Sequence, residues 1–180
     1  MSKTVYTIGH STRPFEDFVT LLLSFNIDVL ADVRAYPGSR WFPHFNKERM
    51  RAELEKQNIR YVHFKDLGGR KDTHATPGEK GIDKTAEKRN DRRGKQHAAF
   101  AGYAAYMKTE TYVSNESELV KLAEENRVAF ICAEADWRKC HRSLMSDSLK
   151  QKGWDVLHIT GVEKCEAHVL TEYAVPSRLF

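Results

Sequence analysis

The residues able to do chemistry gather in a few short polar stretches. Gly9-His10-Ser11-Thr12 is one, and Asp32, Arg34 and the turn Tyr36-Pro37-Gly38-Ser39-Arg40 make a second. Lys65-Asp66-Leu67-Gly68-Gly69 is a third, and a fourth holds Cys132, Glu134, Asp136 and Arg138 before running into Cys140-His141-Arg142. Two carboxylates with a histidine can activate water or donate a proton, and proximity pushes their pKa values apart. Glu134 is therefore the expected general acid/base, with Asp32 and His10 orienting water or substrate. Arginine grips anions through its planar fork, and a helix start offers free N–H groups and the positive end of a dipole. Arg34, Cys140, His141 and Arg142 are expected to hold an anion, with Ser11, Ser39, Gly68 and Gly69 on the same rim.

Other readings use the same residues. Each arginine could instead pair with Asp32 or Glu134, and His10 could cap the first helix. Cys132 to Arg138 has the C-x5-R spacing of thiol phosphatases, but Glu134 and Asp136 would put carboxylates where amides must face a dianion. Cys132 reads better as a small residue closing a strand. No cofactor is predicted; His10, Asp32, Glu134, Cys140 and His141 are ligand types that would permit a divalent metal, without any tight zinc spacing. Arg40 and Trp41, with Arg89, Arg92 and Arg93, could grip a nucleic-acid backbone and stack a base.

What would bring these stretches together is a common strand direction. Val5–Ile8, Val29–Val33, Arg60–Phe64, Val128–Cys132 and Val156–Ile159 are β-rich runs, and each precedes one of the polar stretches or, for the last, Thr160-Gly161. Helical patterns separate them. Phe15, Phe18, Val19, Leu22 and Leu23 form one apolar stripe, with Thr12 as the expected N-cap and Pro14 in the first turn. Further helices are expected over 47–57, around Phe100–Met107, over 116–126 and over 139–152, the last stopped by Gly153. Alternating strands and helices of these lengths predict an α/β fold. It is a five-stranded, mainly parallel open sheet with helices on both faces, a Rossmann-like three-layer sandwich. Ligands of such sheets bind beyond the carboxyl ends of the strands.

The 180 residues suit a single domain spanning 1–180, long enough to bury roughly 70% of its extended surface. No 18-residue apolar run exists, so no membrane partner is expected, and the start lacks the long apolar core of a secretory signal. Three cysteines without framework spacing point to a reduced, cytoplasmic setting. The net charge of +4 is local: residues 70 to 95 hold nine basic and five acidic groups, and the rest balances. With Ile82 its only large apolar residue, that stretch predicts a basic flexible loop.

Thr7-Ile8-Gly9-His10-Ser11, Asp32-Val33-Arg34 with Pro37 and Ser39, Leu67-Gly68-Gly69, Ala99-Phe100 through Tyr103, and Cys132-x-Glu134 followed by Cys140-His141-Arg142 resemble, in that order, the domain-of-unknown-function family 488. The resemblance implies a bacterial or archaeal α/β domain and names no reaction. The residues themselves predict an enzyme acting on an anionic substrate, a nucleotide or nucleic acid, by hydrolysis or group transfer at the sheet's carboxyl edge. The alternatives are a non-catalytic nucleic-acid or nucleotide binding module using the basic loop, and a protein-interaction domain in which the polar stretches form a structural network.

Overall fold

Strands whose side chains are covered on both faces read as near-continuous apolar runs, and three segments here do so. They are β1 (Lys3–Gly9), β2 (Val29–Asp32) and β4 (Val128–Cys132), the last reached after β3 (Arg60–His63). β5 (Trp154–Gly161) and β6 (Lys164–Ala167) complete the sheet, in the order β3-β2-β4-β1-β5-β6. Every neighbouring pair is parallel except β5 and β6. The computed structural model describes residues 3–69 and 92–174, without the side chains of 92–97.

Successive residues of a strand point to opposite faces, which divides the core in two. On one face α1 (Phe15–Ser24) and α2 (Lys47–Glu55) bury Phe18, Leu22, Met50 and Leu54 against Tyr6, Ile8, Leu30 and Ile131. On the other, α3 (Arg92–Tyr106), α4 (Glu110–Glu125) and α5 (Arg142–Gln151) bury Phe100, Tyr103, Leu119, Met145 and Leu149 against Val5, Val29, Phe130 and Val156. The three-layer α/β architecture is thus the one read from the sequence.

Its details differ in several places, and helix α4 starts six residues before the expected 116. A sixth strand, β6, pairs antiparallel with β5; all four of its residues are exposed, so it lacks the apolar alternation that marks a strand. Helix α1 begins after Pro14 with no side-chain cap, so Thr12 is not its N-cap. Helix α3 begins at Arg92, making Arg92–Lys95 helix rather than the end of the basic loop; the rest of that expected loop, 70–91, lies outside the described residues. Helix α5 begins at Arg142 because Trp137–Lys139 forms a separate 3-10 turn, held by the Arg138 N–H donating to the Asp136 carboxylate at 3.1 Å.

The connections put a topological switch point at the end of β4. The chain leaves β1 and β2 toward the α1–α2 face, and leaves β4, which lies between them, toward α5 on the opposite face. Loops that diverge from neighbouring strands open a cleft at their carboxyl ends, the usual ligand position in open α/β sheets. Cys132 is the last residue of β4. Among the described residues, no helix is long and apolar enough to cross a membrane.

Candidate functional site

The loops at this edge are stitched by their backbones. The His10 N–H donates to the Cys132 carbonyl at 3.0 Å, Ser11 N–H to Ala133 at 2.9 Å, and Val33 N–H to Ile131 at 3.2 Å. Such closeness requires glycine: a Cβ on Gly9 would fall 2.0 Å from the Glu134 carbonyl oxygen, a contact no side chain tolerates. Gly68 packs in the same way against the Ala35 backbone. The first and third polar stretches carry glycine because backbones touch there.

On the β2 side of this edge, Asp32 is fully buried and accepts four hydrogen bonds. They come from Arg34 N–H (3.0 Å), Nε (2.9 Å) and Nη2 (2.6 Å), and from the Tyr61 hydroxyl (2.6 Å). Arg34 also donates to the Phe45 carbonyl at 2.9 Å and to His10 Nε2 at 3.2 Å. Nδ1–H of His10 in turn donates to the Ser11 carbonyl at 2.8 Å, so the ring is neutral with its Nε2 lone pair on the guanidinium. Burial, reinforced by Arg34, pushes the His10 pKa down to about 4. Burial and then the Asp32 charge hold the Tyr61 hydroxyl well above its ordinary value. The result is a buried ion pair whose carboxylate has a donor for every lone pair.

Beyond it lies a different cluster. The Cys132 and Cys140 sulfurs and a His141 ring nitrogen all lie within 4.8 Å of one another, the one such potential ligand group among the described residues. His141 Nδ1 is 3.5 Å from the Cys140 sulfur and 3.9 Å from that of Cys132. His141 Nε2–H donates to the Val33 carbonyl at 3.3 Å, which turns the Nδ1 lone pair toward both sulfurs. The Tyr103 ring meets this imidazole edge-on at 5.1 Å, its hydroxyl donating to the Leu67 carbonyl at 2.7 Å. Gly69 covers the ring so closely that a Cβ there would lie 2.5 Å from Nδ1. The two thiols differ. The hydrogen bond between them, and then burial, push Cys132 up to about 12. For Cys140 burial acts upward too, but its bond with Cys132 and the adjacent Arg142 charge outweigh it and bring the group down to about 6.

Arg142 is 1% exposed and, among the described residues, has no carboxylate as a hydrogen-bond partner. It donates to the Thr7 hydroxyl at 3.0 Å and to the Glu134 and Ala135 carbonyls, and its Nε–H finds no partner among the described residues. From Thr7 a buried hydrogen-bonded chain crosses the interior: Thr7 to His158 Nδ1 (2.9 Å), His158 Nε2 to His168 Nδ1 (3.0 Å), His168 Nε2 to Asp147 (2.9 Å). Beginning from Arg142, one direction of donation satisfies every link: Thr7 O–H to His158, His158 N–H to His168, His168 N–H to the carboxylate. The buried cation is thereby tied to a buried carboxylate it does not touch.

The remaining expected site residues fall as follows. Glu134 is exposed, its carboxylate accepting the Asp136 N–H at 3.1 Å; its main chain, through Arg142, is what meets the cluster. Asp32 and Glu134 share no hydrogen-bond partner among the described residues. Ser11 has positive φ (52°), and Ser39 closes a turn by accepting the Phe42 N–H at 3.0 Å. Arg40 is exposed and Trp41 is 88% exposed, whereas Phe45 is buried. Arg89 lies outside the described residues; Arg92 and Arg93 open α3, their side chains outside them. Arg138 pairs with Asp136 and Glu166 and lies over Trp137, partners other than the Cys132 thiol that a phosphatase loop would have it serve.

The sequence reading missed Cys132 as a partner of Cys140, and gave Thr7, His158, Asp147 and His168 no role. For His158 a signal existed: Trp154, Val156 and His158 alternate on one strand face, and that face is core. Two clefts, of about 410 and 550 Å3, open elsewhere; the larger sits at the amino ends of β1 and β5, and both are walled by surface charges such as Arg51, Glu55 and Glu124. The candidate site residues lie at the other edge.

No curated protein and no solved structure matches this chain. The family model for the domain of unknown function DUF488 matches residues 14–149, a span holding both the Asp32–Arg34 pair and the Cys132–Cys140–His141 cluster but not Thr7, His158 or His168. The chain belongs to the DUF488 family.

Proposed function

We propose that the chain is an enzyme acting on an anionic substrate, a nucleotide or nucleic acid, by hydrolysis or group transfer in the crevice at the carboxyl end of β4. The observation that carries this reading is the meeting of Cys132, Cys140 and His141 at the point where the loops of neighbouring strands diverge. Positive charge supports an anionic substrate. Arg142 lies beside the cluster, α5 begins there, and the chain passes from Gly69, over the His141 ring, directly into the segment 70–95 with its nine basic and five acidic groups.

The roles shift from those first expected. Asp32, Arg34 and His10 build the wall of the crevice, Glu134 offers an exposed acid/base at its mouth, and His141 with the thiols supplies the reactive centre. The test is a turnover screen over nucleotides and phosphodiesters with wild type, His141→Ala and Glu134→Gln. Loss of turnover in both variants with unchanged melting supports the assignment; turnover indifferent to His141→Ala overturns it. A non-catalytic nucleic-acid binder is the second reading, favoured by Trp41 standing 88% exposed beside Arg40. It requires salt-sensitive binding that weakens in Trp41→Ala and in the Arg89, Arg92 and Arg93 alanine variant.

A further inference from the structure

We infer that Cys132, Cys140 and His141 form a binding site for a thiophilic divalent metal ion of the zinc class, with the fourth coordination position left for water or substrate. This rests on the reading above and gives its reactive centre a cofactor. The spacing of the donors is the first argument. Metal–sulfur and metal–nitrogen bonds of about 2.3 and 2.1 Å at tetrahedral angles set sulfur and nitrogen roughly 3.6 Å apart. The sulfur-to-Nδ1 separations are 3.5 and 3.9 Å, within a few tenths of an ångström of that value, and the two sulfurs lie within 4.8 Å of each other.

The second argument is the orientation of the histidine. Metal-bound imidazoles as a rule donate their other N–H to a carbonyl or carboxylate, which fixes tautomer and ring plane. His141 does so through Nε2 to Val33, and its free Nδ1 faces the sulfurs. The third is rigidity. Cys132 ends a central strand, and the Cys140 and His141 carbonyls accept the Ser143 and Leu144 N–H groups of the first turn of α5, at 2.9 and 3.1 Å. Two sulfurs and one imidazole select a soft or borderline ion over magnesium or calcium, and two thiolates cancel its charge. Three protein ligands are the number that catalytic zinc sites use, keeping one position open.

Cobalt(II) gives a test that needs no turnover. The full-length chain, reduced and stripped of metal, is titrated with cobalt chloride and then with zinc chloride. Expected are one equivalent of cobalt with thiolate charge-transfer absorption and tetrahedral d–d bands, and its displacement by one equivalent of zinc. Cys132→Ser, Cys140→Ser and His141→Ala should each weaken binding by more than the roughly 10–100-fold typical of losing an outer-shell partner. Cys165→Ser, on exposed β6, should leave it unchanged. Reduced wild-type protein without the charge-transfer band overturns the site, whatever the variants do. So does a band that survives Cys140→Ser and disappears in Cys165→Ser. A Cys132–Cys140 disulfide in the purified protein, with no cobalt bound after its reduction, replaces the metal with a redox pair. Metal binding without turnover leaves this inference standing and counts only against the enzymatic reading.

Discussion

Two clusters flank the carboxyl end of β4, and they are built on opposite principles. Around Asp32 every lone pair meets a donor: Arg34 and Tyr61 supply four hydrogen bonds of 3.0 Å or less, and His10 and Phe45 accept two further N–H groups of the guanidinium. Around His141 the contacts are long, 3.5 and 3.9 Å, and the donors are soft, lone-pair-bearing atoms aimed at one point. A buried polar group costs free energy when unpaired, so a saturated network is a structural solution. A converging set with spare capacity is where a ligand would find its partners. Residue type alone pointed to Asp32 and His10; the accounting of hydrogen bonds points to Cys132, Cys140 and His141.

The contrast can be broken, and the largest effect should come from the saturated side. Asp32→Ala leaves the buried Arg34 without its counter-charge, and removing one partner of a buried pair costs roughly 3–5 kcal/mol. Chemical denaturation should show that loss, and a variant as stable as wild type would remove the structural role. Gly9→Ala should cost about 1–3 kcal/mol by forcing the β1 and β4 loops apart. Cys140→Ser should cost only about 1 kcal/mol in stability while abolishing cobalt binding, a dissociation the saturated cluster cannot show.

Acid titration sharpens the comparison further. His10 and His158 are buried and neutral, with folded pKa values near 4 and 2, below the unfolded value of about 6.5. Burial is the leading cause in both, followed by Arg34 for His10 and by His168 for His158. Because the unfolded chain takes up protons first, their contribution is complete above pH 6.5 and is lost as pH falls below it. Denaturant midpoints measured from pH 7 to 5 should therefore decline, and His10→Gln or His158→Gln should flatten that decline. The smallest effect belongs to Glu134→Gln, within about 0.5 kcal/mol of wild type, since its carboxylate is exposed.

Much of the fold was legible because burial on both faces leaves an unmistakable mark. Val128–Cys132 is a strand over the very residues its apolar run suggested, and Leu144, Met145 and Leu149 face inward on α5 as their spacing required. Where burial is absent the mark vanishes, which is why Lys164–Ala167 was not among the expected strands. The candidate site was legible by position more than by role. His10, Arg34, Cys140, His141 and Arg142 do meet at one edge, since a common strand direction delivers their loops there. Glu134 arrives with them, but its carboxylate points outward and its backbone inward.

Local chemistry along the chain determined which segments become strands and helices, that the strands run parallel, and that the polar stretches gather beyond their ends. It carried no information on which side chains would find partners. Cys132 and Cys140 are separated by seven residues, Thr7 and Asp147 by most of the chain, and Asp32 looks no different in sequence from a free catalytic acid. Only the tertiary structure decided that Asp32 is spent on Arg34 and Tyr61 while two sulfurs and an imidazole converge. The reason is that hydrogen-bond saturation depends on distances between groups remote in the chain, and those distances exist only once the sheet has closed them.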